Sequence, residues 1–143
     1  MKVVINNCYG GFSLSKKACQ RYWDIKGQQV WIEDDTQFKS MGLFTIWLVP
    51  PAERIQSKEG ESFYTMSMEE RRAYNEEHSK QTWYDRDVDR ADPVLVQVVE
   101  ELGEDAGGRC ASLSVVEIPD DVNWCVEEYD GKEWVAEMHR TWS

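Results

Sequence analysis

Residues 2–27 read KVVINNCYGGFSLSKKACQRYWDIKG, and this stretch decides the fold class. Residues 2–6 form a short apolar run of the kind a buried strand presents. Gly10 and Gly11 follow, at a turn whose backbone angles are closed to most side chains. Ser13 or Ser15 can then cap a helix with the apolar stripe Leu14, Ala18, Tyr22 and Ile25, and Gly27 is its stop. Residues 29–33 (QVWIE) read as a second strand, so the opening third is strand–helix–strand.

Working outward, residues 41–49 (MGLFTIWLV) are the most apolar stretch of the chain and read as a central strand, ended by Pro50 and Pro51. Residues 51–66 are polar and read as an exposed loop. Ser67 and Glu70 make a capping box ahead of a largely polar surface helix. Asp92 followed by Pro93 is a second helix start, and Val94, Leu95, Val98, Val99 and Leu102 lie on one helical face before Gly103. Residues 113–118 (LSVVEI) read as a strand stopped by Pro119. Residues 122–129 and 132–138 flank Asp130-Gly131 as a β-hairpin. The expectation is one α+β domain spanning 1–143. It has a mixed or antiparallel sheet, two to three helices, a C-terminal hairpin and no internal repeat.

The 143 residues carry 27 acidic and 16 basic side chains, a net charge of −11. Such a surplus argues against generic binding to nucleic acid. With no apolar run long enough to span a bilayer, no membrane partner is expected, and the opening residues lack the basic and apolar regions of a secretory leader. The charge is graded: +4 over residues 1–32, −6 over 33–99 and −9 over 100–143. A basic amino end and an acidic carboxyl end attract each other, within one fold or across a homodimer.

Cys8, Cys19, Cys110 and Cys125 have no C-x-x-C spacing, and His78 and His139 are the only histidines, so no metal is expected. The thiols read as buried and reduced, Cys8 included. Asp85, Asp87, Asp89 and Asp92 alternate with Arg86 and Arg90, a pattern of local ion pairs.

Two candidate sites emerge. In the first, the strand–loop–helix holding Asn6, Asn7, Cys8, Tyr9, Gly10, Gly11, Ser13 and Ser15 places backbone N–H groups at a helix amino end. These could hold a small anionic ligand such as a nucleotide, with Lys16, Lys17 and Arg21 nearby. The spacing is neither of the usual phosphate-loop patterns. In the second, Glu127, Glu128, Asp130 and Glu133 give the hairpin an acidic surface for a basic partner. No catalytic set is complete, and no cofactor is expected.

The opening VVINNCYGGFSLS, DRDVDRADPVLVQVVEELG from Asp85 and VVEIPDDVNWCVEEYDGKEWVAEMHRTW from Val115 resemble a family of small proteins encoded by tailed bacteriophages and prophages. The likeness covers both ends, and residues 33–66 are the least familiar. It implies an accessory protein in the host bacterium's cytoplasm and supplies no catalytic residues. The leading functional expectation is therefore a viral protein that binds, and inhibits, a host defence protein with a basic surface. The alternative is a protein that sequesters a nucleotide-type ligand in the loop.

Overall fold

The computed structural model describes residues 1–36, 39–56 and 61–143. In chain order the elements are β1 (Lys2–Asn6), α1 (Lys16–Lys26), β2 (Trp31–Asp34), β3 (Phe44–Trp47), α2 (Glu61–Tyr64), α3 (Met68–Gln81), β4 (Thr82–Trp83), α4 (Pro93–Leu102), β5 (Leu113–Glu117), β6 (Trp124–Tyr129) and β7 (Lys132–Glu137). The architecture is α+β, and among the described residues these strands pair antiparallel throughout. Two compact units make it up: residues 1–28 with 85–143, and residues 29–84.

In the first unit β1 pairs with β5, from Lys2 opposite Glu117 to Asn6 opposite Leu113. The opening strand–helix–strand is therefore not one sheet, because β2 pairs with β3 in the second unit. Val3, Val4, Ile5 and Asn6 are all buried, because α4 and β7 both pack on β1. That double cover is why the run shows no polar alternation.

Helix α1 begins where Ser15 Oγ accepts the Ala18 N–H at 3.1 Å, and ends where Gly27 takes a left-handed φ of 75°. Helix α4 is capped by Asp92, which accepts the Val94 N–H at 2.8 Å. Its buried residues are Leu95, Val96, Val98 and Val99. The apolar sector is wider than the expected stripe, taking in Val96 and leaving Val94 only half-buried. Strands β6 and β7 form the C-terminal hairpin, joined by a two-residue turn with positive φ at Asp130 (51°) and Gly131 (88°). Asp-Gly suits the mirror-image turn that matches strand twist.

In the second unit β3 lies between β2 and β4. It is shorter than the apolar run from 41 to 49, because Met41 closes a 3-10 turn and Gly42 sits at φ 64°. Of the expected loop over residues 51–66, residues 57–60 lie outside the described residues. The rest holds a 3-10 turn at Pro51–Glu53 and the short α2. Helix α3 carries the full Ser67–Glu70 capping box. It buries no residue completely, and meets its sheet through His78, whose ring stands edge-on to Trp47 at 5.3 Å.

Candidate functional site

The hydrogen bonds of β1 point alternately to two sides. On the side away from β5, the Val4 N–H donates to the Arg90 carbonyl at 2.8 Å and the Asn6 N–H donates to Glu133 Oε2 at 2.8 Å. Arg90 closes this edge with a two-pronged bond to Glu133, at 2.6 and 2.8 Å, and lies 3.5 Å over the Phe12 ring. An ion pair thus stands where a third strand would be, satisfying backbone groups that burial would otherwise leave costly.

Two expectations are corrected here. Arg90 does not pair with the neighbouring aspartates. Asp85 instead accepts the Leu14 N–H at 2.8 Å, Asp89 accepts the Ala91 N–H at 2.9 Å and Asp92 caps α4. Nor does Glu133 belong to an outer acidic surface. It is 8% exposed, because β7 turns its side chain inward towards β1.

Asn6 is wholly buried and knots three segments together. Its Nδ2 donates to the carbonyls of Cys8 and Gly131, both at 2.7 Å, and its Oδ1 accepts from the N–H groups of Cys8 and Ser112. The hairpin turn is thereby seated on the glycine loop. A Cβ on Gly131 would fall 2.2 Å from the Gly11 nitrogen and 2.6 Å from that of Gly10.

Several of the loop's donors are consequently engaged within the protein. Asn7 N–H bonds the Ser112 carbonyl, Gly10 N–H the Asp130 carbonyl, and Ser15 N–H the Ala106 carbonyl. The Asn7 side chain donates to Ser114, and the Ser13 carbonyl accepts from Gly108. Ser15 Oγ both caps α1 and donates to the Asp105 carbonyl. The amino end of α1 also faces the carboxylate of Asp85, which lies against Leu14. An anion there would lack these donors and meet a negative charge.

The basic residues beside the loop are matched in the same way. Lys2 meets Glu100, Lys17 meets Asp105 at 3.6 Å, Arg21 meets Glu101 at 2.8 Å and Lys26 meets Asp92 at 3.5 Å. The amino terminus pairs with Asp120. The charge gradient thus closes on itself within the chain. Hydrogen bonds from Arg21 and Gln97 hold the Glu101 carboxyl down at about 2. Burial works against ionisation of Asp92, yet the bonds from Tyr22 and Val94 and the charge of Lys26 outweigh it and lower its pKa.

What stays open is the outward face of the hairpin. Directly opposed residues share a face, and the register sets Glu127 against Trp134 and Tyr129 against Lys132. Trp134 Nε1 donates to Glu127 at 3.0 Å, which orients the indole while leaving it 43% exposed. Tyr129 is 73% exposed, and Lys132 reaches to 5.9 Å from the ring centre of Tyr9, itself 60% exposed. Asp130 is exposed at the tip. Glu128, adjacent in sequence to Glu127, projects from the opposite face and accepts the Gly131 N–H at 2.8 Å. The hairpin acids are therefore not one array. Glu127 and Asp130 accompany three aromatics and a lysine, while Glu128 braces the turn.

Tyr129, Lys132 and Trp134 were not among the sequence candidates. Counting outward from Asp130-Gly131 in steps of two would have placed them beside Glu127. Cys8, expected to be buried, is exposed because it lies past the end of β1 where the chain turns, and Cys110 is exposed too. Cys19 is buried, and burial pushes its thiol pKa up, whereas Cys125 is half-buried.

In the second unit, a shallow concavity is lined, among the described residues, by α3 alone. Among the described residues no helix is long and apolar enough to cross a membrane, and no three metal-ligating side chains converge. No family model, curated protein or solved structure matches the chain.

Proposed function

We propose that the protein acts by binding, as a phage accessory factor in the bacterial cytoplasm, and that the outward face of its hairpin docks on an arginine-rich segment of a host protein. The observation that carries this reading is the exposed set Glu127, Tyr129 and Trp134, held on a strand pair whose turn is pinned to the glycine loop, with exposed Tyr9 of that loop beside Lys132. A guanidinium stacks on aromatic faces and bonds carboxylates through its fork, so this mixture suits arginine better than a bare acidic cluster would. The likeness of both chain ends to small phage-encoded proteins supports the setting. Occupying a basic groove of a defence protein would exclude the nucleic acid for which that groove is built. The nucleotide alternative loses support, because the N–H groups of Asn7, Gly10 and Ser15 and the neighbouring cations Lys17 and Arg21 are already engaged, and a carboxylate stands at Leu14.

The test uses an arginine–glycine repeat peptide as probe and two charge-reversed proteins of equal net charge. Glu127→Lys with Asp130→Lys should weaken binding by about tenfold or more, as expected for losing close charge contacts. Glu104→Lys with Glu117→Lys, both exposed and outside the hairpin, should change it little. Equal weakening in both would mean that the probe responds to total charge, and would overturn the assignment.

A further inference from the structure

Helix α3 has one packed side and, among the described residues, one side that nothing covers. Arg71, Tyr74, His78 and Gln81, spaced by three and four, are half-buried on the packed side. The Arg71 guanidinium lies 5.4 Å over the Phe63 ring and donates to the Phe63 and Tyr64 carbonyls, and the Tyr74 ring stacks on that of His78 at 6.2 Å. A second ridge runs in steps of four through Met68, Arg72, Glu76 and Lys80. All four are exposed, Met68 at 82%. With Arg71, Asn75 and Ser79 they line a concavity of about 630 Å³ along the helix. Arg72 and Glu76 stand one turn apart, yet among the described residues neither has an ion-pair partner, and Lys80 reaches only Glu77 at 4.0 Å. A cation on the amino side of an anion is the weaker order for a pair within one helix.

We propose that this ridge is a self-association surface, on which the α3 helices of two copies of the chain pair antiparallel. The order of its side chains is complementary to itself when turned end for end. Set antiparallel about the midpoint of residues 68–80, Arg72 of each copy meets Glu76 of the other, and each Met68 lies along the aliphatic stem of the opposite Lys80. Four charges without ion-pair partners in the single chain thus form two reciprocal pairs in the dimer. The contact is small. Helix α3 has 14 residues, a length of about 21 Å, and one face of it supplies well under the roughly 800 Å² per partner of a standard interface. The dimer is therefore weak, with a dissociation constant of about 0.1–1 mM. The net charge of −11 opposes association, but α3 itself is nearly balanced, with Glu69, Glu70, Glu76 and Glu77 against Arg71, Arg72 and Lys80. The surface does not depend on the partner proposed for the hairpin.

The experiment is sedimentation equilibrium of the full chain up to about 1 mM, at about 0.15 M salt so that the overall repulsion is screened. Wild type should shift from monomer towards dimer as its concentration rises. Arg72→Glu leaves two acids facing two acids across the dimer, and Glu76→Arg leaves two arginines facing two, so each variant should weaken self-association by about tenfold or more. Glu76→Arg reduces the net charge, so its loss cannot come from general repulsion. An equimolar mixture of the two variants should form a heterodimer, since each ridge then meets its complement. The chain carrying both changes should regain wild-type self-association with its net charge unaltered. Single variants that associate as wild type does, or a mixture that stays monomeric, would overturn the proposal. So would a wild type that is monomeric throughout, which would leave the ridge to a different molecule.

Discussion

Replacing Arg90 by methionine removes two of the three hydrogen bonds to the Glu133 carboxylate and leaves that group 8% exposed, with only the Asn6 N–H. Breaking one side of a buried pair costs about 3–5 kcal/mol. The 16% exposure of the Arg90 side chain favours the lower end, so about 3 kcal/mol is expected, including the lost contact with Phe12. Glu133→Leu alone strands the guanidinium and the Asn6 N–H, at about 2–3 kcal/mol. In the double variant no charge is left behind. Its remaining penalty is the unmatched Asn6 N–H together with the Val4 carbonyl, which Arg90 reaches only at 3.4 Å, about 1–2 kcal/mol in all after the partial offset from new apolar packing. The double variant should therefore be more stable than Arg90→Met alone, and more stable than the sum of the single effects by about 3 kcal/mol or more. Native-state hydrogen exchange at Val4 and Ile5 reads the opening of this unit directly. Additive single effects, or an Arg90→Met cost below about 1 kcal/mol, would refute the reading of Arg90 and Glu133 as a coupled edge cap.

Gly131→Ala should cost about 2–4 kcal/mol, since it combines left-handed backbone strain with a collision against backbone nitrogens that have little room to move. Gly11→Ala, at positive φ but with open space around the new Cβ, should cost less, and urea denaturation of the pair measures the difference. Stability should also fall in acid. Glu101 is depressed from 4.5 to about 2 in the folded chain, so its contribution is full above pH 4.5 and disappears as pH falls towards about 2. Asp92 and Asp120 are lowered as well and act in the same direction. Calorimetric Tm measured across that window should drop, and Arg21→Met should flatten the drop by removing the group that depresses Glu101.

Local signals carried most of the element boundaries. Ser15 and Gly27 bound α1, Asp92 and Gly103 bound α4, and Asp130-Gly131 makes the hairpin turn, each through chemistry complete within a few residues. Pairing across long separations was not legible. The partner of β1 is β5, more than a hundred residues away, and β2 belongs to another sheet. Two-residue β4 is too short to show a period. Arg90 misled because aspartates surround it in sequence, yet the backbone turn there directs those carboxylates to N–H groups and leaves the guanidinium for β7. For the site, residue type was a weaker guide than parity. Glu127, Glu128 and Glu133 are alike in the sequence, whereas alternation along the hairpin sends one outward, uses one to brace the turn and buries the third against β1.

The location of the binding face is tested most directly by amide chemical-shift mapping of the full chain during titration with the arginine–glycine peptide. Saturating shifts concentrated at Tyr9, Glu127, Tyr129, Lys132 and Trp134, weakening as salt screens the charges, are the expected result. Shifts spread over the acidic surface, or centred on α3 or the amino end of α1 with the hairpin unmoved, would contradict it.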